Sequence, residues 1–185
     1  MTPAPWQTPP GGAAALIAAG VVAGAPVLAT ARLRLRAPRI DDFDGCAAIV
    51  TGPRGVHVGG PMDHEAAWLD FAQMVAGWML RGCGLWSVER RSDGALLGFV
   101  PLNHEFGDPE PELGLLFRAE AEGLGYAFEA AAAARGFAFG RLGWATVVSY
   151  VDPANARSIR LGARLEPADL DGVRVYRHVG PEGGE

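Results

Sequence analysis

The residues best placed to do chemistry lie between Glu112 and Glu129. An extended run, Glu112-Leu113-Gly114-Leu115-Leu116-Phe117, is followed after a short link by Glu122-Gly123-Leu124-Gly125-Tyr126-Ala127-Phe128-Glu129. Glycines directly before a helix let the backbone approach an anion closely, and the unpaired N–H groups of the first turn, aided by the helix dipole, bind phosphate oxygens. This order of strand, glycine turn and helix predicts a pyrophosphate site. A dinucleotide-binding fold would need Gly-x-Gly-x-x-Gly after the first strand and an acidic residue further on, and neither is seen.

Other chemistries fall away by composition. All 16 basic residues are Arg, which excludes Schiff-base lysine catalysis and the lysine of a Walker phosphate loop. The 4 histidines, at positions 57, 64, 104 and 178, form no His-Glu-x-x-His or other close ligand pair, so no metal site is expected. Cys46 and Cys83 stand far apart and outside any Cys-x-x-Cys, as reduced, buried thiols do. A net charge of −5 argues against a nucleic-acid binder.

The elements that must position the glycine turn follow from periodicity. Leu33 and Leu35 alternate with Arg32, Arg34 and Arg36, as in a strand with one solvated face. Asp41, Asp42 and Asp44 open a short helix through Ala47 and Ile49, their charge suiting a helix N-terminus. A loop covers 52–61. From the N-cap Asp63, the set Trp68, Phe71, Ala72, Val75, Trp78 and Met79 marks an amphipathic helix ending near Gly82, its aromatic stripe facing the core. A hairpin over 85–90 and 96–103 turns at Asp93-Gly94. Then come a strand over 112–117, an Ala-rich helix over 125–139, and a strand over 144–151 buried on both faces. A helix over 155–164 and a strand over 173–178 complete an α/β sandwich with a mixed sheet.

Residues 1–31 carry no charged side chain, and the apolar stretch 13–25 is too short to span a bilayer. It resembles a signal-peptide h-region, with Ala23-Gly24-Ala25 and Ala29-Thr30-Ala31 as small-residue sites, yet a basic n-region is missing. We expect a poorly ordered or partly helical extension over 1–25, one domain over 26–178 and a tail over 179–185. No membrane partner is expected.

Order and spacing add a resemblance. The chain resembles the GNAT superfamily of acyl-CoA-dependent N-acetyltransferases over about residues 26–178, particularly the RimJ/RimL branch. Three segments carry it in order: Leu28-Ala29-Thr30-Ala31-Arg32-Leu33-Arg34-Leu35-Arg36, the glycine turn, and Val151-Asp152-Pro153-Ala154-Asn155-Ala156-Arg157-Ser158. The resemblance implies a mixed, largely antiparallel sheet of about six to seven strands flanked by helices, with a V-shaped splay at the acetyl-CoA site. It implies that Leu115, Leu116 and Phe117 pair with the pantetheine arm through their backbone. The family's Gln/Arg-x-x-Gly-x-Gly/Ala loop, which cradles the pyrophosphate, falls on Glu122, Gly123, Leu124, Gly125, Tyr126 and Ala127. Its Asn-x-x-Ser falls on Asn155 and Ser158, near the pantetheine and thiol. Glu122 departs from the family's Gln or Arg, and a carboxylate there repels phosphates unless it points away or meets an Arg.

The implied reaction is attack of an amine on the acetyl thioester of acetyl-CoA, in a ternary complex and without metal. Glu112 is the expected base, with Glu110, Glu105 and His104 in reserve, or else a strand-end carboxylate with no part in the reaction. Ser158 is expected at the departing thiol, with Tyr150 in reserve for that role or packed in the core. The acceptor is a peptide N-terminus or small-molecule amine, and a non-catalytic acyl-CoA-binding module is the competing reading. A cytoplasmic monomer or homodimer is expected, since acetyl-CoA is available there.

Overall fold

The computed structural model describes residues 5–165 and 174–180; residues 1–4, the expected strand start at Val173, and 181–185 of the expected C-terminal tail lie outside the described residues. The first strands are β1 (Leu28–Ala29) and β2 (Leu33–Arg36), and Leu33 and Leu35 are fully buried, as their alternation requires. The opposite face is not simply solvated. Arg34 pairs with Glu89 at the surface, but Arg36 is 6% exposed and forks onto Asp42, with Nη1–Oδ2 at 2.6 Å and Nη2–Oδ1 at 2.9 Å. Its Nε donates to Glu89 Oε1 at 2.6 Å, and Asp42 also accepts from the Ser87 hydroxyl and the Arg39 backbone. A 3-10 turn over Ile40–Asp42 folds across the strand and covers this cluster. Asp42 is therefore a partner of a buried guanidinium more than a helix-dipole charge, and the spacing of the arginines alone does not reveal that cover.

Helix α1 (Gly12–Ala23) buries none of its residues, whereas Trp6 ahead of it sits edge-on against Phe43 and Trp68. Helix α2 (Phe43–Val50) and helix α3 (His64–Leu80) pack on one face of the sheet around Phe43, Phe71, Met74, Leu85 and Phe99. Asp63 caps α3 by accepting the Ala66 N–H at 2.8 Å. Met79, read into the apolar stripe, is 71% exposed at the end of that helix. Strands β3 (Leu85–Arg90) and β4 (Leu96–Asn103) form the expected hairpin. They are followed by β5 (Glu112–Leu113), β6 (Leu116–Phe117), α4 (Tyr126–Gly140), β7 (Thr146–Val151), α5 (Ala156–Gly162) and β8 (Arg174–Val179).

These strands form an eight-stranded sheet in the order β1-β2-β3-β4-β5-β7-β8, with β6 also paired to β4; β5–β7 is parallel and the other pairs are antiparallel. Helix α4 covers the second face. Its Ala130, Ala131, Ala134 and Ala138 have no exposed surface, and these small side chains let the helix lie close against Trp86, Val100 and Leu102. The Trp86 indole N–H in this layer finds its acceptor in Pro26 O at 2.8 Å, which anchors the chain just ahead of β1. Cys46 and Cys83 are free and buried, and burial pushes the Cys46 thiol up to about 12, an unreactive state.

The buried Arg36 cluster is a point of vulnerability, because removing one partner of a buried ion pair strands the other. Asp42→Ala is expected to lower stability by about 3 kcal/mol near neutral pH, measured by urea unfolding. Burial pushes the Asp42 carboxyl up, but hydrogen bonds from Arg36, the Arg39 backbone and Ser87 outweigh it and hold the group below its ordinary value of 3.8, so its contribution is present above that pH and is lost as pH falls further. The gap between the two proteins should narrow in acid.

Candidate active site

The segment expected as one strand over 112–117 is two, and the cause lies on its neighbour. Register is continuous, with Leu102 opposite Leu113 and Phe99 opposite Leu116, so Pro101 falls opposite Gly114. Gly114 N–H donates to Pro101 O at 2.9 Å, but proline has no N–H to return the bond. Only glycine fits there, since a Cβ on residue 114 would lie 2.7 Å from Pro101 Cγ. Because Gly114 faces β4, alternation turns the N–H and C=O of Leu115 to the opposite edge.

On that edge β7 diverges. Glu112 pairs with Val148, Val148 N–H reaches Pro111 O at 2.9 Å, and beyond this point side chains replace the ladder. The Ser149 hydroxyl donates to Leu113 O at 2.6 Å, and the Tyr150 backbone N–H faces the Glu112 carboxylate. β7 is consequently buried on both faces, as expected, only at Val147 and Val148; Ser149 and Tyr150 beyond them are half-buried, before Val151 is buried again. Tyr150 thus borders a cleft and is not packed in the core.

Two cavities open into this V. One, of about 480 Å³, runs along Leu115, Leu116 and Phe117 to Glu122, Gly123, Gly125 and Ala127, with Asn155 and Ser158 on the far wall. Leu124 and Tyr126 of the expected loop lie outside its lining. Leu124 O accepts from Arg32 Nη1 at 2.9 Å, and the Tyr126 ring packs under the Arg32 guanidinium at 4.6 Å. Gly125, with φ +78°, is the residue preceding α4 and adopts the left-handed conformation that glycine tolerates best. Asn155 caps α5 by accepting the Ser158 N–H at 3.1 Å, which orients the start of that helix.

Four arginines missed in the sequence, Arg54, Arg157, Arg160 and Arg164, also line this cavity. The last three recur at positions i, i+3 and i+7, a spacing that could have flagged one helical face. The arginine row of β2 takes no part. Glu122 meets arginines, as its repulsion demanded: it pairs with Arg54 and with Arg157 at 3.0 Å. The chemistry of these walls, cationic and hydrogen-bond-donating around a glycine turn beside an apolar channel, fits a phosphorylated, long-armed thioester such as acetyl-CoA.

The second cavity, of about 450 Å³, shares Leu115, Leu116, Asn155 and Ser158 with the first and continues to Glu112, Tyr150, Glu105, Asp70 and His57. Burial drives the Glu112 carboxyl up to about 7; the Tyr150 N–H draws it down, and Asp108 and Glu105 raise it. Burial and then Glu105 raise Asp70 to about 6. His57, from the α2–α3 loop, donates Nδ1–H to Asp152 Oδ2 at 2.6 Å, while Asp152 Oδ1 accepts from Ala154 N–H at 2.8 Å. Neither Asp70 nor this His–Asp pair carries a sequence signal, since each is assembled from distant segments. Of the reserve bases, Glu105 lines the cavity; Glu110 is engaged by Arg177, and His104 by Asp108 O at 2.9 Å. Among the described residues no group of His, Cys, Asp and Glu side chains could hold a metal ion, and no helix is long and apolar enough to cross a membrane.

This sheet, parted beside a glycine-led helix, is the frame of an acetyltransferase. The model of the acetyltransferase (GNAT) domain matches residues 32–166, and the chain belongs to that family. A solved acetyltransferase of Agrobacterium tumefaciens is 37% identical, with 83% of this chain and 94% of that one covered at a TM-score of 0.76. The fold is shared with a GNAT-family acetyltransferase of Bacillus anthracis (19% identity, 82% and 96% covered, TM-score 0.65). It is also shared with RimL, the ribosomal L7/L12 alpha-N-protein acetyltransferase (13%, 83% and 94%, 0.68). GNAT acetyltransferases use acetyl-CoA, so the chain is an acyl-CoA-dependent acetyltransferase.

The position of Glu112 has a measurable cost. The folded chain holds this proton more tightly than an ordinary carboxyl of pKa 4.5, so its contribution to stability is fully present below that value and is lost as pH rises through about 7. Glu112→Gln is expected to unfold at higher denaturant than wild type at pH 8.5, by about 2 kcal/mol, with the difference closing at pH 4.

Proposed function

We propose that the protein is a cytoplasmic N-acetyltransferase of the RimJ/RimL kind that transfers acetyl from acetyl-CoA to a primary amine, a peptide N-terminus or a small molecule, by direct attack in a ternary complex. One observation carries this reading: a basic cavity and a carboxylate-bearing cavity meet at Leu115 and Ser158, at the parting of β5 and β7. The backbone of Leu115, Leu116 and Phe117 receives the pantetheine arm. The N–H groups at Gly123–Ala127, with the surrounding arginines, hold the phosphates. The unpaired edge of Leu115 offers an N–H to the carbonyl oxygen as it gains charge.

The proton balance assigns the rest. The acceptor arrives as an ammonium and gives one proton to Glu112, directly or through water; the neutral nitrogen then bonds to the carbonyl carbon as the C–S bond breaks, a second nitrogen proton goes to the departing sulfur beside Ser158, and the third stays on the amide. A carboxylate of pKa about 7 is within about one unit of an α-amino group at about 7.7–8.0, whereas a lysine-like amine at about 10.4 lies more than three units above it. The match favours α-amino groups and other weakly basic amines. Glu105 and Asp70 on the same cavity favour an acceptor that arrives as a cation.

The test is thiol release with a panel of peptides and small amines. Glu112→Gln should keep acetyl-CoA affinity while turnover falls by about 10²- to 10⁴-fold near neutral pH. Wild-type turnover should decline as pH drops below about 7, where Glu112 is protonated. The deficit of the variant should shrink toward high pH, where the amine deprotonates unaided. Parallel profiles of equal height would remove Glu112 from the reaction.

A further inference from the structure

The phosphate-facing cavity already contains an anion of its own. Glu122 stands at the head of the glycine turn, and a single carboxylate oxygen, Oε1, receives both Arg54 Nη2 from the α2–α3 loop and Arg157 Nη1 from α5, the latter at 3.0 Å. The two guanidiniums approach from separate chain segments, and both line the cavity with Glu122. Arg54 is further steadied by Phe117 O at 3.2 Å, on the strand that leads into the turn. Arg54 keeps the Glu122 carboxyl below its ordinary value, so it is ionised near neutral pH. The resulting geometry, one anionic oxygen between two guanidiniums next to the N–H groups opening α4, is that of a bound phosphate oxygen.

We propose that Glu122 is a built-in stand-in for a phosphate oxygen of the acyl-CoA pyrophosphate, displaced from Arg54 and Arg157 when the ligand binds. This rests on the acyl-CoA reading of the site and assigns Glu122 the role of a competitor that sets the affinity threshold. Displacement is inexpensive: the carboxylate is 37% exposed and returns to water, while each guanidinium exchanges one anion for another and is never left bare. A pyrophosphate offers more charge and more acceptor oxygens than one carboxylate and wins the exchange. A small ambient anion does not gain as much, so Glu122 screens the arginines from such anions until acyl-CoA arrives.

The experiment measures acetyl-CoA and inorganic pyrophosphate binding calorimetrically to the full chain, in wild type, Glu122→Gln and Glu122→Ser, with thermal melts as a folding control. The two ion pairs of a part-exposed carboxylate compete only weakly, so the variants should bind both probes about threefold to tenfold more tightly at low salt, or about 0.7–1.4 kcal/mol. The gain should fade as salt screens the competing charge. Arg157→Gln should weaken both probes in either background, because the displaced partner remains a phosphate contact. Equal or weaker binding by folded Glu122 variants would overturn the proposal and make Glu122 an organiser of the arginines. Failure of wild type to bind acetyl-CoA would instead count against the acyl-CoA reading. The pyrophosphate ratio between variant and wild type still decides the role of Glu122.

Discussion

The site depends on the parting of β7 from β5. Pro101 returns no N–H to Gly114, so that rung keeps only the Gly114 N–H bond while the β4 register runs on to Leu116, and alternation turns the Leu115 N–H and C=O away from β4. On the other edge, the Ser149 hydroxyl and the Glu112 carboxylate occupy the bonding groups that would have closed β7 against β5. An unbroken sheet at this place would have no cleft. The same residues that hold the strands apart therefore supply the candidate base and the unpaired backbone edge.

Everything around the opening keeps its two sides distinct. The α2–α3 loop crosses the mouth, sending Arg54 toward the glycine turn and His57 toward Asp152 at the end of β7. Cationic chemistry collects on the side where α4 begins, and carboxylates collect on the side of β5 and α3. In the proposed reaction a thioester enters from the first side and an amine from the second, to meet at Leu115 and Ser158, so the polarity of the two chambers would order the reactants before any bond changes.

Much of this was legible in the chain itself. The hairpin over 85–90 and 96–103 matches its strands end for end, because alternation and an Asp-Gly turn leave little freedom. The glycine turn is visible in local spacing, whereas Asn155 and Ser158 are singled out only by the resemblance to GNAT acetyltransferases, and Glu112 by its place on the strand entering the turn. Arg36 escaped notice because its partners lie at Asp42 and Glu89 and the covering turn is a tertiary fact. The break at Gly114 was hidden for the same reason: its cause is Pro101, on another strand. The His57–Asp152 pair and Asp70 are encounters between segments that no local pattern announces.

The lysine-free composition acquires a meaning inside the basic cavity. The cations that line it are the guanidiniums of Arg54, Arg157, Arg160 and Arg164. A guanidinium stays protonated at any physiological pH and presents a rigid fork of donors, whereas an ammonium is a point charge whose proton is readily lost when it is desolvated. Arginine therefore gives the cavity a charge that neither a change of pH nor the exclusion of water removes. A permanent positive potential is thus written into the choice of cation.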